Sequence, residues 1–228
     1  MFSSNRDFDR ALTEVSASSA GGAAFLAAFG ASFLICAALS FFLPVQTAAL
    51  VVMFQGSAAL PLAFWLERRL GSQPMSANNP LRPLSVQMAM SQIVALPAVI
   101  IAFSLNPATV PAALAAVGGG HFLPYAWLQR TRIYFALGVA ISLGAFVLQI
   151  ILQAAAFTWI LMFVGAAYWT AAPLVYRNAA RLVRAEAARN QITFPDLRQW
   201  YSAADSPFGG GTGSEPVPPN QEVARTFT

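Results

Sequence analysis

The 228-residue chain contains one histidine, His121, set in the segment Gly118-Gly119-Gly120-His121-Phe122-Leu123-Pro124-Tyr125-Ala126-Trp127. Tyr125 follows four residues later, so an imidazole and a phenol share one helical face. Gln87 and Ser91 have the same spacing, and Gln92 and Gln55 add amides to apolar surroundings. This set can bind a small solute, and an imidazole near neutral pKa can also take up a proton. The same groups can tie helices together by hydrogen bonds, with Gly118 to Gly120 letting a neighbouring backbone come close. The residue types leave both readings open. No Asp, Glu, Lys or Arg lies among them and no nucleophile is paired with a base, so an enzyme is not expected. One His and one Cys, Cys36, cannot make a protein-only zinc site. No metal and no cofactor is expected, and Cys36 reads as a small packing residue.

The elements that must carry these groups follow from composition. Apolar residues make up 57% of the chain and charged residues 10%, against about 25% charged in a soluble domain. That deficit predicts an all-α integral membrane protein whose main partner is the lipid bilayer. The net charge of +4 comes from 13 arginines, with no lysine, placed in short clusters between apolar runs. Such clusters do not read as a nucleic-acid surface.

Three runs lack Asp, Glu, Lys and Arg: Val15 to Leu66, Pro83 to Gln129, and Ile133 to Tyr176. Each is about twice the roughly 20 residues that one crossing needs, so each predicts a hairpin of two spans. Pro44, the stretch Asn106 to Pro111, and the stretch Gln153 to Thr158 mark the turns. The predicted spans are 21–43, 46–66, 84–105, 111–128, 132–153 and 157–176. The first apolar run, Gly21 to Leu43, is longer than the roughly 7–15 residues of a signal-peptide core and reads as an anchor. Arginine falls on every second connection: Arg6 and Arg10, then Arg68, Arg69 and Arg82, then Arg130 and Arg132, then Arg177, Arg181, Arg184 and Arg189. That alternation predicts both termini in the cytoplasm. The expected organisation is a cytosolic segment over 1–19 with a short helix through Asp7, Arg10 and Glu14, a six-helix transmembrane domain over 20–177, a cytosolic helical segment over 178–205, and a disordered Gly/Pro-rich tail over 206–228. His121, nine residues before Arg130, then lies about 13 Å deeper, near mid-membrane.

A parallel internal repeat is also suggested. Gly56, Leu60, Pro61, Ala63 and Arg69 match Gly119, Leu123, Pro124, Ala126 and Arg132 at a shift of 63 positions, and Pro173 with Arg181 continues the pattern. Pro61, Pro124 and Pro173 are the expected helix-kink positions. Each frees a backbone carbonyl four residues earlier, at Ser57, Gly120 and Trp169.

Asn79-Pro80-Leu81, then Gln92 and Pro107, then Gly120-His121-Phe122-Leu123-Pro124-Tyr125-Ala126-Trp127-Leu128 and Tyr134 together resemble a family of uncharacterised bacterial membrane proteins, a domain of unknown function. That family has an Asn-Pro-Leu start to a helix and a Gly-Ala-His-Leu-Leu-Pro-Phe-Gly-Trp-like segment; Phe122 and Ala126 depart from it mildly. The resemblance spans about residues 79–134. It implies a multi-pass protein of the bacterial cytoplasmic (inner) membrane and supplies no activity. The expected function is a transporter- or channel-like path for a small neutral or weakly charged solute, lined by His121, Tyr125, Gln55, Gln87, Ser91 and Gln92. The alternative is a non-catalytic scaffold or sensor that acts through the Arg-rich helix after the last span.

Overall fold

The computed structural model describes residues 5–70 and 75–192, and these are helical apart from short turns. Helix α1, Asn5–Ser18, is amphipathic: Phe8, Ala11, Leu12 and Val15 recur at one-turn spacing and face inward. A tight turn over Ala20, Gly21 and Gly22, all at positive φ, redirects the chain into α2, Ala23–Leu39. Glycine is needed there for space as well as conformation. A Cβ on Gly21 would lie 2.7 Å from the Val175 carbonyl, and one on Gly22 would run into the Tyr134 hydroxyl.

The second predicted span, 46–66, is two helices, α3 over Val45–Phe54 and α4 over Gly56–Arg69, separated at Gln55. There follow α5, Arg82–Leu105; α6, Val110–Leu128; α7, Arg132–Leu152; and α8, Ala156–Ile192. Asn106 caps the single 3-10 turn Pro107–Thr109 that leads into α6, its side chain accepting from the Ala108 amide, and Thr131 starts α7 by accepting from the Ile133 amide. The part of the predicted helical segment beyond Ile192 and the predicted tail over 206–228 lie outside the described residues.

Among the described residues four stretches are long and apolar enough to cross a membrane: Ala20–Leu39, Val45–Arg69, Arg82–Leu105, and Arg132–Arg189, which holds α7 and most of α8. Helix α6 is not among them, because Gly118 to Gly120, His121, Pro111 and Pro124 dilute its apolar content. The fold is therefore all-helical, with several helices able to span a bilayer.

Packing follows the small residues. Helix α6 lies closely along α7, where Gly119 faces Gly138: a Cβ on either would meet the other's carbonyl at 2.5 Å. Helices α2 and α8 meet in the same way at Gly30 and Gly165. The shared core contains Phe33, Val52, Phe122, Tyr134, Ile141, Ile160, Leu161, Val164 and Tyr168. Helix α5 is different. Val99 is its one buried residue, and its main neighbour is α6. Its Val94 and Leu105 are each 82% exposed. Apolar side chains so exposed suit hydrocarbon, not water.

A second apolar cluster forms beneath α1, from Ala11, Leu12, Val15, Leu81 and Leu128 with Phe8, Met75 and Tyr125 beside them. The repeat suggested by the sequence has unequal surroundings at its matched glycines. Gly119 is jammed against α7, whereas a Cβ on Gly56 would make only an ordinary 3.8 Å contact with Phe29.

Candidate functional site

His121 lies half-buried at the seam between α6 and α5. Its Nδ1 is 3.0 Å from the Ser91 hydroxyl, which also donates to the Met88 carbonyl at 2.7 Å. A hydroxyl has one proton. With that proton on Met88, a neutral imidazole satisfies the second contact by donating Nδ1–H to Ser91, which leaves Nε2 as a free acceptor. The Tyr125 ring is 4.9 Å from the imidazole, centroid to centroid. Ring contacts then run inward from Tyr125 to Tyr134 at 5.9 Å, to Phe122 at 5.4 Å, to Tyr168 at 5.4 Å and to Phe33 at 5.6 Å. His121 thus ends a ladder of rings that crosses α6, α7, α8 and α2.

Ser91 is joined to His121 directly, and the Tyr125 ring lies tilted beside it. Gln87 is exposed and Gln92 half-buried on α5. Gln55 is engaged elsewhere: its Oε1 accepts from Ser32 at 2.9 Å and lies 3.8 Å from the Cys36 sulfur, so it serves the α2 seam. Pro61, Pro124 and Pro173 each lie inside a continuous helix, α4, α6 and α8. Among the described residues no three His, Cys, Asp or Glu side chains converge as metal ligands would.

The α1 end of the bundle holds a polar network that spacing along the chain does not disclose. The buried Asn79 side chain donates to the Ala11 carbonyl at 3.1 Å and to the Glu14 carboxylate at 2.9 Å, while its oxygen accepts from the Leu81 amide at 2.9 Å. The Ser76 amide donates to the other Glu14 oxygen at 2.6 Å. Partial burial pushes the Glu14 carboxyl upward, but these hydrogen bonds and the nearby Arg10 charge outweigh it and hold the pKa below the usual carboxylate value. Arg130 pairs with Asp9 at 3.2 Å, Trp127 packs on Phe8 at 5.9 Å between ring centres, and Gln129 donates to Ser19 at 3.2 Å. Tyr134 donates to the Gly21 carbonyl at 2.5 Å. The one available signal was the Asn79-Pro80-Leu81 tripeptide itself: an Asn whose side chain accepts from the amide two residues on is a compact turn.

Clefts on the described surface include two of different character. One, of about 750 Å³, lies at the α1 end and is lined by Asp9, Leu12, Ala126, Trp127, Arg130, Thr131, Arg132 and Phe135. The other, of about 240 Å³, is apolar and lies between Ala24, Leu66, Leu70, Pro173 and Tyr176. Neither includes His121.

No curated protein and no solved structure matches the chain. A family model does match it, over residues 8–178, which takes in most of α1, the Asn79 turn and the whole His121 segment. By that match the chain belongs to the family of unknown function DUF7010.

Proposed function

We propose that the protein crosses the cytoplasmic membrane six times, through α2, the α3–α4 pair, α5, α6, α7 and α8, with both termini in the cytoplasm. Two features support this. Packed neighbours run antiparallel, since Phe25 early in α2 meets Phe64 late in α4, Ser40 at the end of α2 meets Thr158 at the start of α8, and Leu81 before α5 meets Leu128 at the end of α6; and arginine recurs only on every second connection. Helix α6 completes the count despite its weaker hydropathy, because Leu128 at its end packs in one cluster with Leu81 at the start of α5, as a helix returning across the layer requires.

Within that frame, the α5–α6 seam is a path for a small neutral or weakly charged solute. The observation that carries this reading is the His121–Ser91 bond: an ionisable ring inside a charge-free segment, joined by one exchangeable bond to the helix that is least packed into the bundle. If α5 shifts, His121 and Tyr125 face the opening. The test is flux into liposomes of the purified protein against a panel of neutral and weakly charged solutes. Wild type should pass one of them, and both His121→Gln and His121→Leu should abolish that flux without unfolding the protein. A fully active His121→Gln beside a destabilised His121→Leu would leave His121 only a tie between helices.

One observation favours a second reading, a scaffold or sensor. Helix α8 runs on to Ile192, well past its apolar part, and carries Arg177, Arg181, Arg184 and Arg189. A basic helix emerging at a membrane surface can bind anionic headgroups or a partner. Flux absent for every solute, with membrane recruitment of a protein lost on replacing these arginines, would select it.

A further inference from the structure

We infer that the cleft at the α1 end is a binding site for the headgroup of an anionic phospholipid. The inference rests on the six-span placement, which puts this cleft at the cytosolic face of the membrane. Three features converge on an anion. Arg130 and Arg132 both line the cleft. The first turn of α7, a helix of 21 residues, opens beside them at Thr131, which caps the Ile133 amide, and a helix N-terminus carries partial positive charge. Arg132 is exposed and pairs with no carboxylate among the described residues, so its guanidinium is available to a phosphate.

A fourth feature says that the anion has a tail. Phe135 forms part of the cleft wall and also begins an exposed apolar stripe on α7, continued by Val139, Leu143, Phe146 and Ile150. These positions fall on one face by helical spacing. A ligand with its charge at Arg132 therefore has hydrocarbon surface leading away from it along the helix. Trp127, 52% exposed, flanks the mouth, as indole rings do at headgroup depth. Free phosphate would use the arginines and leave the stripe unused; a phosphodiester lipid uses both.

The Asp9–Arg130 pair sets the strength of the site. Its side chains are 44% and 32% exposed, so the bridge is screened and weak. A lipid phosphate competes with Asp9 for Arg130, and binding there should loosen the hold of α1 on the α6–α7 corner.

The test uses the full chain, purified in neutral detergent, with lipid adducts counted by native mass spectrometry and stability followed by thermal melting. Phosphatidylglycerol should form a discrete adduct and raise the melting temperature; phosphatidylcholine and inorganic phosphate should do neither. Arg132→Gln should weaken the adduct roughly fivefold, the effect of one interfacial cation, and Arg132→Lys should keep most of the affinity. Asp9→Asn should tighten it, by removing the competitor for Arg130. Arg68→Gln, an equal change of charge outside the cleft, should leave binding unchanged. Equal weakening by Arg68→Gln and Arg132→Gln would overturn the site, leaving only a general charge effect. The same melting shift from inorganic phosphate would overturn the lipid as ligand. A reporter fused after Gln129 separates the two claims: an external reading removes the six-span placement, whatever the adducts do, while an internal reading with no lipid discrimination removes the site alone.

Discussion

Two neighbouring glycines in the His121 segment have opposite expected tolerances. A Cβ on Gly119 would meet the Gly138 carbonyl at 2.5 Å and run into the Ser142 hydroxyl, whereas nothing lies within 4 Å of one on Gly120. Gly119→Ala should therefore destabilise the α6–α7 pair by about 1–3 kcal/mol, the range for overpacking. Gly120→Ala should be neutral or stabilising by up to about 1 kcal/mol, because alanine is the better helix former. Chemical unfolding of the two purified variants checks this; equal losses would mean that α6 does not contact α7 at Gly119. Arg130 makes a second residue-scale case. It sits at φ +50° just past the end of α6, where its amide bonds to the Trp127 carbonyl and the Thr131 amide bonds to Ala126. That is the left-handed helix ending at which glycine is favoured. Arg130→Gly should gain in backbone conformation what it loses in the exposed Asp9 bridge and leave the melting temperature nearly unchanged. Arg130→Val should lower it, since a β-branched residue at positive φ is strained. A large loss in Arg130→Gly would show that the guanidinium has a stronger structural role than the bridge suggests.

At the scale of elements, α1 adds a few polar ties to its apolar cluster, and α5 has little packing beside its one polar link. Helix α1 depends on Asn79, and Asn79→Ala should cost about 1–3 kcal/mol, the penalty for leaving buried partners unmatched. Glu14 adds a pH dependence whose sign is fixed by its lowered pKa. The unfolded chain binds that proton more readily than the folded one, so the tie is fully present above the unfolded carboxylate value, near pH 4.3, and fades as pH falls through the lower folded value. Glu14→Gln should therefore melt lower than wild type at pH 7, with the gap closing in acid. A gap that persists at low pH would assign the loss to packing instead. Helix α5, with Val99 as its one buried residue, has Ser91–His121 as its polar link to α6. Ser91→Ala should lower stability by about 0.5–2 kcal/mol, the range for hydrogen bonds between membrane helices. Hydrogen exchange should show the loss concentrated in 82–105; an even spread would mean that α5 is anchored elsewhere.

At the scale of the whole molecule, topology is the first thing to measure. Reporter fusions at Gln129 and at the C-terminus should read cytoplasmic, and fusions near Pro44, Thr109 and Ala155 external. One reversed site would remove the six-span arrangement and the solute path that depends on it. Composition and periodicity were enough to specify an all-helical chain with several apolar helices and to place its turns near Pro44, Asn106 and Gln153, because hydrocarbon admits few alternatives to a helix and Pro or Asn marks where one stops. Spacing also put His121 beside Tyr125 on one face, since four residues make about one turn wherever the helix lies. It could not pair His121 with Ser91, separate Gln55 from both, or choose Gly119 among three consecutive glycines as the residue against α7, for these depend on which helix lies next to which. Nor could it explain Asn79-Pro80-Leu81 until α1 folded back over that turn and supplied Ala11 and Glu14 as partners. An apolar helix offers nearly the same surface on every side, so its pattern determines that it is buried or lipid-facing; its neighbours are chosen by a few small residues and single hydrogen bonds, and only the tertiary structure brings those together.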